Sequence, residues 1–155
     1  MHIQSEAAMQ QFGELIGERL QGGEVFELVG DVGAGKTTFT RGLARGLGVQ
    51  TTIQSPTFTV SREYDGRDDL RLVHYDFYRL SEAGIMADEL AETLADPHTV
   101  TVIEWSGVAS SVLPNERASL HILPDEHNEQ QRDITVTVSG QLARIIEEAT
   151  HVSLA

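Results

Sequence analysis

The chain has 155 residues, carries a formal net charge of −13 and is 40% hydrophobic and 23% charged, which is typical of one folded domain with its own core. It has no cysteine, so disulfides and thiolate metal sites are excluded, and its acidity argues against a protein that grips a nucleic-acid backbone by itself. No apolar run is long enough to span a membrane and no signal-peptide pattern opens the sequence, so we expect a cytoplasmic protein without a membrane contact.

The first predicted elements are a helix and a strand. Residues 4–21 place apolar side chains at helical spacing, with Ser5 as the N-cap and the glycines at 22–23 as the end of the helix. Residues 24–29 read as a strand that leads into a glycine-rich turn. We expect the helix to cover one face of a sheet to which this strand belongs.

The glycine-rich turn matches a phosphate-binding loop. Residues 30–37 read GDVGAGKT, which fits the pattern G-x-x-x-x-G-K-[ST], and a helix over 37–47 follows. Its glycines let main-chain N–H groups point inward around a phosphate, and the helix adds the positive end of its dipole. Lys36 places a charge against the outer phosphates and Thr37 offers a hydroxyl to magnesium. Lys36 is also the only lysine in the chain.

A predicted hairpin follows this helix. Residues 57–64 alternate like a strand, Asp65 and Gly66 form a turn signal, and residues 70–76 form the returning strand. The two strands are therefore expected to pair antiparallel at one side of the sheet.

Two hydroxyl side chains lie just before that hairpin. Ser55 and Thr57 flank Pro56, where a segment that senses the γ-phosphate would lie. A hydroxyl at this place can reach the phosphate or its metal. The alternative is an ordinary Ser-Pro turn.

The second half of the chain contains further helices and strands and no internal repeat. Ser81 is predicted to cap a helix that ends before Pro97. The other predicted elements are, in chain order, a buried strand over 99–104, a pair of strands over 118–123 and 133–138, and a short helix over 142–149. Together with the earlier elements they indicate an α/β fold whose mixed sheet has a parallel core and antiparallel strands.

Two acidic residues come directly after predicted strands. Glu104 ends an apolar strand that should lie inside a parallel sheet, and Asp76 ends the returning strand of the hairpin. Because α/β sheets bind ligands at the carboxyl ends of their strands, both acids are candidates for the phosphate site. We interpret Glu104 as the metal carboxylate and Asp76 as a group that faces the γ-phosphate.

The remaining candidates give weaker signals. Trp105 could fill the core or contact a partner. The six histidines show no metal spacing and read as structural or exposed. A GTPase is excluded because its Asn-Lys-x-Asp pattern needs a second lysine, and no Leu-Ser-Gly-Gly-Gln signature of an ABC-type ATPase is present. A small-molecule kinase and a nucleotide-dependent scaffold stay open as alternatives to an ATPase.

Four sequence blocks together resemble one protein family. They are GDVGAGKTTFTRG at 30–42, SPTFT at 55–59, YDFYRL at 75–80 and IEW at 103–105, with LP later at 113–114. In this order and at this spacing they resemble the bacterial TsaE family, the ATPase of tRNA threonylcarbamoyladenosine biosynthesis.

The resemblance implies a three-layer α/β P-loop NTPase fold, with helices on both faces of the sheet, and a weak ATPase that uses ATP and Mg²⁺. It also implies a partner, a TsaD–TsaB complex that installs threonylcarbamoyl on adenosine 37 of tRNAs reading ANN codons. ATP hydrolysis would reset that complex between turnovers. The protein would not make the adenylate itself, and we expect no stable direct tRNA binding.

The resemblance also implies roles for individual residues. Thr37 and Glu104 would bind magnesium, and Lys36, Asp76 and Glu104 would be catalytic. The nucleotide-binding set implied around the phosphates is Asp31, Val32, Gly33, Ala34, Gly35, Lys36, Thr37, Thr38, Ser55, Thr57 and Asp76. The adenine would lie near the N-terminal residues and the 128–132 hairpin, which contributes Arg132.

Overall fold

A seven-stranded mixed sheet forms the centre of the computed structural model, which describes residues 1–154; Ala155, the last residue of the predicted domain, lies outside them. Its strands are β1 (His2–Ile3), β2 (Val25–Val29), β3 (Ser61–Asp65), β4 (Arg71–Asp76), β5 (Thr99–Glu104), β6 (Ala118–Pro124) and β7 (Arg132–Thr137). The helices are α1 (Glu6–Gly17), α2 (Lys36–Gly46), α3 (Ile85–Ala95) and α4 (Gln141–Leu154), with a 3-10 helix at Ser106–Val112.

The strand order is β1-β7-β6-β2-β5-β4-β3, with a parallel centre and antiparallel sides. β4, β5, β2 and β6 run parallel, whereas β3 at one side and β7 and β1 at the other pair antiparallel. All six residues of β5 are buried, as expected for a strand inside a parallel sheet. The carboxyl ends of β2, β4 and β5 therefore meet at one edge of the sheet, which is where both candidate acids were predicted.

Helices cover both faces of the sheet, which confirms the predicted α/β architecture. On one face α1, α2 and α4 enclose a core that includes Phe12, Phe26 and Phe39. On the other face α3 and the 3-10 helix pack over a smaller cluster that includes Tyr75 and Leu90. None of the helices within residues 1–154 combines the length and the apolar character that a membrane crossing requires.

The first helix confirms its predicted cap but ends earlier than predicted. The N–H of Ala8 donates to the Ser5 hydroxyl at 3.1 Å. The helix then ends at Gly17 rather than near residue 21, and the guanidinium of Arg67 donates to the carbonyls of Gly17 and Glu18 at 3.1 and 3.0 Å. This contact joins residues about fifty positions apart, so the apolar periodicity of the helix sequence cannot predict it.

Two further predictions were wrong in detail. Residues 57–60 form a turn and the strand begins only at Ser61, because Val60 has a left-handed backbone (φ 67°) and its N–H donates to the carbonyl of Pro56 at 2.7 Å. Ser81 does not cap α3; Gly84 holds that position. The predicted C-terminal helix is present and longer than predicted, starting at Gln141.

The two helices on the larger core touch each other through glycines. A Cβ atom at Gly42 of α2 would collide with the carbonyl oxygen of Gln10, and one at Gly46 would collide with that of Glu14. A Cβ atom added to Gly13 of α1 would likewise lie only 2.5 Å from the carbonyl oxygen of Phe39. This close approach fixes α1 against the helix that follows the phosphate-binding pattern.

Replacing Gly46 with alanine should destabilise the fold by about 1–3 kcal/mol, because the added methyl group overpacks a backbone contact. The loss is expected although alanine by itself favours helix by about 1 kcal/mol. Chemical denaturation measures the free energy of unfolding. Gly107→Ala is the control, since within the described residues nothing lies within 4 Å of the position of its added Cβ. Equal effects of the two changes would contradict the close helix contact.

Candidate functional site

Three buried charged side chains meet at the carboxyl edge of the sheet. Asp76 and Glu104 are register partners at the ends of β4 and β5, and their exposed fractions are only 5% and 3%. Lys36, at the first position of α2, is 6% exposed. Two carboxylates and one ammonium group therefore lie near one another in a poorly solvated place.

The Lys36 ammonium contacts three groups of the protein. Its Nζ donates to the carbonyl of Gly30 at 2.5 Å and lies 3.9 Å from Oε1 of Glu104. It also lies over the ring of Trp105, 4.3 Å from the centroid, a distance at which a cation is attracted by the aromatic face. The lysine thus lies at the centre of the candidate site.

The glycines of the loop adopt the backbone that the pattern requires. Gly33 and Gly35 have φ angles of 82° and 112°, in the left-handed region that other residues rarely adopt. Gly35 is the N-cap of α2, so the unpaired N–H groups of the first helical turn face the space beside it. This arrangement suits a negatively charged group.

A cavity of about 300 Å³, here called the loop cavity, joins these groups. Its lining is Val32, Gly33, Gly35, Lys36, Thr37, Thr38, Ser55, Thr57, Asp76, Tyr78, Glu104 and Trp105. Ten of these twelve were predicted as site residues; Tyr78 and Trp105 were not. Three predicted residues do not line it: Ala34 is buried, Asp31 lines a neighbouring groove and Arg132 lines a different cavity.

Both oxygens of Asp76 are held by neighbouring groups. The hydroxyl of Thr57 donates to Oδ2 at 3.0 Å and the N–H of Tyr78 donates to Oδ1 at 2.9 Å. The hydroxyls of Ser55 and Thr57 lie 2.9 Å apart. The segment predicted to sense the γ-phosphate is therefore linked directly to the acid predicted to face it.

A second cavity of about 460 Å³, here called the hairpin cavity, adjoins the loop on the other side. Ser5, Glu6 and Met9 from the start of α1 line it together with Glu129 and Arg132 from the β6–β7 hairpin. The structure thus brings together the two segments expected beside the adenine.

Arg132 forms hydrogen bonds that connect this hairpin to the glycine-rich loop. Its Nε donates to the carbonyl of Ala34 at 2.8 Å, and one terminal nitrogen donates to that of Gly33 at 3.4 Å. The other terminal nitrogen donates to carbonyls of the hairpin itself, at Glu129 and Gln131. The guanidinium therefore connects the hairpin to the main chain of the loop.

Sequence reasoning missed the place of His74. It was grouped with structural or exposed histidines, but it is fully buried and its Nε2 lies 2.6 Å from Oε2 of Glu104. A signal was available, because His74 precedes Asp76 by two residues and side chains two apart on a strand share a face.

Trp105 and Tyr78 pack together beside the loop cavity. Their ring centroids are 4.9 Å apart, and Trp105 has a left-handed backbone with φ 56°. A bulky residue in this region is under backbone strain, and such strain is frequent at functional sites. The position of the only tryptophan directly after Glu104 was the available signal.

Glu27 of β2 supports the segment that follows Trp105. The hydroxyls of Ser106 and Ser119 donate to its carboxylate, the latter at 2.6 Å, and the Arg117 guanidinium lies 3.4 Å away. Burial raises the pKa of Glu27, but the hydrogen bonds from both serines and the charge of Arg117 outweigh burial and hold the pKa below its usual 4.5. The carboxylate thus ties the start of the 3-10 helix to the sheet.

Glu27→Gln should lower the free energy of unfolding at neutral pH, and this destabilisation should disappear at acidic pH. A carboxylate with a depressed folded-state pKa stabilises the fold above its unfolded pKa, near 4.5, and this contribution is lost as the pH falls through the lower folded value. The difference from wild type, measured by urea denaturation, should therefore shrink below about pH 5. Glu116→Gln, at an exposed acid, is the control. A difference that is independent of pH would contradict the assignment.

The chain is similar in sequence to several proteins of one family. The family model "Threonylcarbamoyl adenosine biosynthesis protein TsaE" matches residues 3–134. The tRNA threonylcarbamoyladenosine biosynthesis protein TsaE of Bacillus subtilis is 42% identical over 123 residues, which cover 76% of this chain and 72% of that protein. Proteins of the same name from Treponema pallidum and Streptomyces coelicolor are 41% and 35% identical, over 81% and 86% of this chain and 90% and 92% of their own lengths.

A solved structure has the same fold. The crystal structure of YdiB from Bacillus subtilis superposes with a TM-score of 0.76 at 29% identity, covering 98% of this chain and 93% of that one. The family model matches most of this chain, and the aligned regions of the Bacillus and Treponema proteins span most of those proteins' own lengths. The chain belongs to the TsaE family of threonylcarbamoyladenosine biosynthesis proteins.

Proposed function

We propose that this protein is a Mg²⁺-dependent ATPase that acts in tRNA threonylcarbamoyladenosine synthesis. One observation carries the proposal: Lys36, Asp76 and Glu104 converge on the loop cavity at the N-terminus of α2. Nucleoside triphosphates are bound and cleaved by sites that combine main-chain N–H groups, an ammonium group and carboxylates at strand ends. We further propose that residues 1–155 form a single ATPase domain.

The donor set of the loop cavity fits a magnesium ion. Mg²⁺ prefers oxygen ligands, and the cavity offers the Thr37 hydroxyl together with the buried Glu104 carboxylate. Asp76 adds a second negative charge against the single Lys36 ammonium, so a cation is electrostatically favoured there. When bound, Mg²⁺ supplies charge neutralisation at the phosphate oxygens.

Each side chain of the loop cavity then has a separate task. The Lys36 ammonium and the N–H groups at the start of α2 bind the phosphate oxygens, and Thr37 and Glu104 hold the metal. Asp76 orients the attacking water and can accept its proton. Ser55 and Thr57 sense whether the γ-phosphate is present, because the Thr57 hydroxyl donates to Asp76, the acid proposed to face that phosphate. Thr38 completes the lining next to Thr37.

The hairpin cavity is the proposed place of the adenine and ribose. It adjoins the loop through Gly33 and Gly35, and its size of about 460 Å³ is within the range of small-molecule pockets. Arg132 lines this cavity while it holds the loop carbonyls. We propose that it keeps the loop main chain in its binding form.

The proposed partner is a TsaD–TsaB complex, and the proposed role of hydrolysis is to reset that complex between turnovers on ANN-decoding tRNAs. The names of the relatives support the pathway, and the partner and the weak intrinsic activity follow from the family resemblance. With a net charge of −13, stable direct binding to tRNA is disfavoured. A cytoplasmic location is part of the same proposal.

ATP turnover with and without the TsaD–TsaB complex tests this function. We expect slow hydrolysis alone and faster hydrolysis with the complex. Glu104→Ala should retain some nucleotide binding and lose hydrolysis, since it removes a metal ligand and not the phosphate cradle. Turnover that depends on a metabolite instead of the complex would favour a small-molecule kinase. Normal turnover by Glu104→Ala would reject the metal assignment.

A further inference from the structure

We propose that His74 is a positioning residue that holds the Glu104 carboxylate in the orientation needed for metal binding. The inference rests on the proposed function, because it assigns a task within the same site. It concerns a side chain that does not line the loop cavity and that is predicted from sequence, like the other histidines, to be structural or exposed.

The sheet register places the two side chains together. His74 pairs with Val102 across β4 and β5, and Glu104 lies two residues further along on the same face. The distance from Nε2 of His74 to Oε2 of Glu104 is 2.6 Å. The other carboxylate oxygen, Oε1, is the one that faces the Lys36 ammonium at 3.9 Å. Oε2 is thus hydrogen-bonded to His74, while Oε1 faces the Lys36 ammonium, which lines the loop cavity.

The chemistry of the pair fixes the direction of this hydrogen bond. A carboxylate that binds a metal is ionised and only accepts hydrogen bonds, so in the proposed metal-binding form Nε2 of His74 carries the hydrogen and donates it. Within residues 1–154 the other ring nitrogen, Nδ1, has no hydrogen-bond partner although it is buried. The polar contact of the imidazole in the described chain is therefore the one to Glu104.

A carboxylate without such support would be poorly oriented. The last torsion of a glutamate side chain has a broad preference, so hydrogen bonding is needed to select one orientation. Groups that hold metal ligands in this way change metal affinity by about 10–100-fold when they are removed. A histidine that merely filled the core would leave an unpaired buried nitrogen for no gain, which an apolar side chain of similar size would avoid.

The test compares His74→Leu with His74→Gln in the full chain. Leucine fills the space without a donor, whereas the glutamine amide can donate from about the position of Nε2. Mn²⁺ is titrated into protein in excess over ADP and free Mn²⁺ is measured by electron paramagnetic resonance. We expect His74→Leu to bind Mn²⁺ about 10–100-fold more weakly, and His74→Gln to recover most of the loss. ADP affinity in EDTA should stay unchanged in both, with thermal unfolding as a check on the fold.

A double-mutant cycle adds a second readout. In a Glu104→Gln background, adding His74→Leu should lower Mn²⁺ affinity by much less than it does in wild type, because the two residues act through one contact. Additive losses would overturn the inference. So would wild-type Mn²⁺ affinity in His74→Leu, or an equal loss of ADP affinity in EDTA. Failure of the wild-type protein to bind ADP or Mn²⁺ would reject the proposed function itself and is distinguishable from these outcomes.

Discussion

Lys36→Ala is expected to weaken the binding of Mg·ADP and Mg·ATP by about 10–150-fold for each phosphate contact that is lost, since a charge-assisted hydrogen bond contributes about 1.5–3 kcal/mol. The Lys36 ammonium lies between the Gly30 carbonyl, Glu104 and the Trp105 ring. Removing it would leave Asp76 and Glu104 as the buried charges beside the proposed phosphate site, so attraction would be replaced by repulsion. Isothermal calorimetry measures the loss.

The fluorescence of Trp105 gives an independent readout, because it is the only tryptophan in the chain and Lys36 lies against its ring. Nucleotide should change the emission of the wild type and leave that of Lys36→Ala unchanged. Arg144→Ala is the charge-matched control, since it also removes one positive charge but from an exposed position on α4. Equal losses in the two variants would mean that net charge, and not the loop cavity, governs binding.

Local patterns carried most of what the sequence could predict about the site. The loop pattern has fixed spacing, and Gly33 and Gly35 have the positive φ angles that the pattern implies. The candidates Asp76 and Glu104 followed from a general rule about parallel sheets, because each directly ends a strand. Neither inference needs contacts between distant segments, and the structure brings all four residues to one edge of the sheet.

Contacts between distant segments account for what the sequence could not predict. The end of α1 depends on Arg67, and its approach to α2 depends on Gly42 and Gly46, which periodicity treats as ordinary helix positions. The short strand β1 exists because it pairs with β7 across the whole chain. His74 acquires its contact with Glu104 only through the register of β4 with β5. These features follow from pairing and packing that a single sequence does not specify.

The same distinction explains why the two cavities differ in predictability. All the residues that line the loop cavity come from the four sequence blocks at 30–42, 55–59, 75–80 and 103–105, which can be recognised in the sequence. The hairpin cavity needs α1 to be held against α2 and Arg132 to reach the loop from β7. Its residues were therefore expected only from the family resemblance, and the glycine contact between the helices is the physical feature that brings the start of α1 beside the loop.

Asp76→Asn is expected to lower ATP turnover in the presence of the TsaD–TsaB complex by about 10²–10⁴-fold, the range for loss of a positioned acid–base group. Binding of Mg·ADP should change little, because Lys36, Thr37 and Glu104 are retained. The amide can still accept from the Thr57 hydroxyl or the Tyr78 N–H, which keeps the local fold. Thr57→Val is the companion variant: it removes the donor to Asp76 at nearly equal volume and should reduce turnover to a smaller extent.

Asp76→Asn also separates an ATPase from a nucleotide-dependent scaffold. If hydrolysis resets the TsaD–TsaB complex, the variant should support one round of threonylcarbamoyladenosine formation and then stall, which quench-flow product counts per complex would measure. A scaffold needs only the bound nucleotide, so the variant would then sustain many rounds at the wild-type rate while hydrolysing no ATP. Multiple turnover by a hydrolysis-deficient Asp76→Asn protein would therefore reject the resetting role but not the proposed nucleotide site, because the residues proposed to hold the phosphates are unchanged in it.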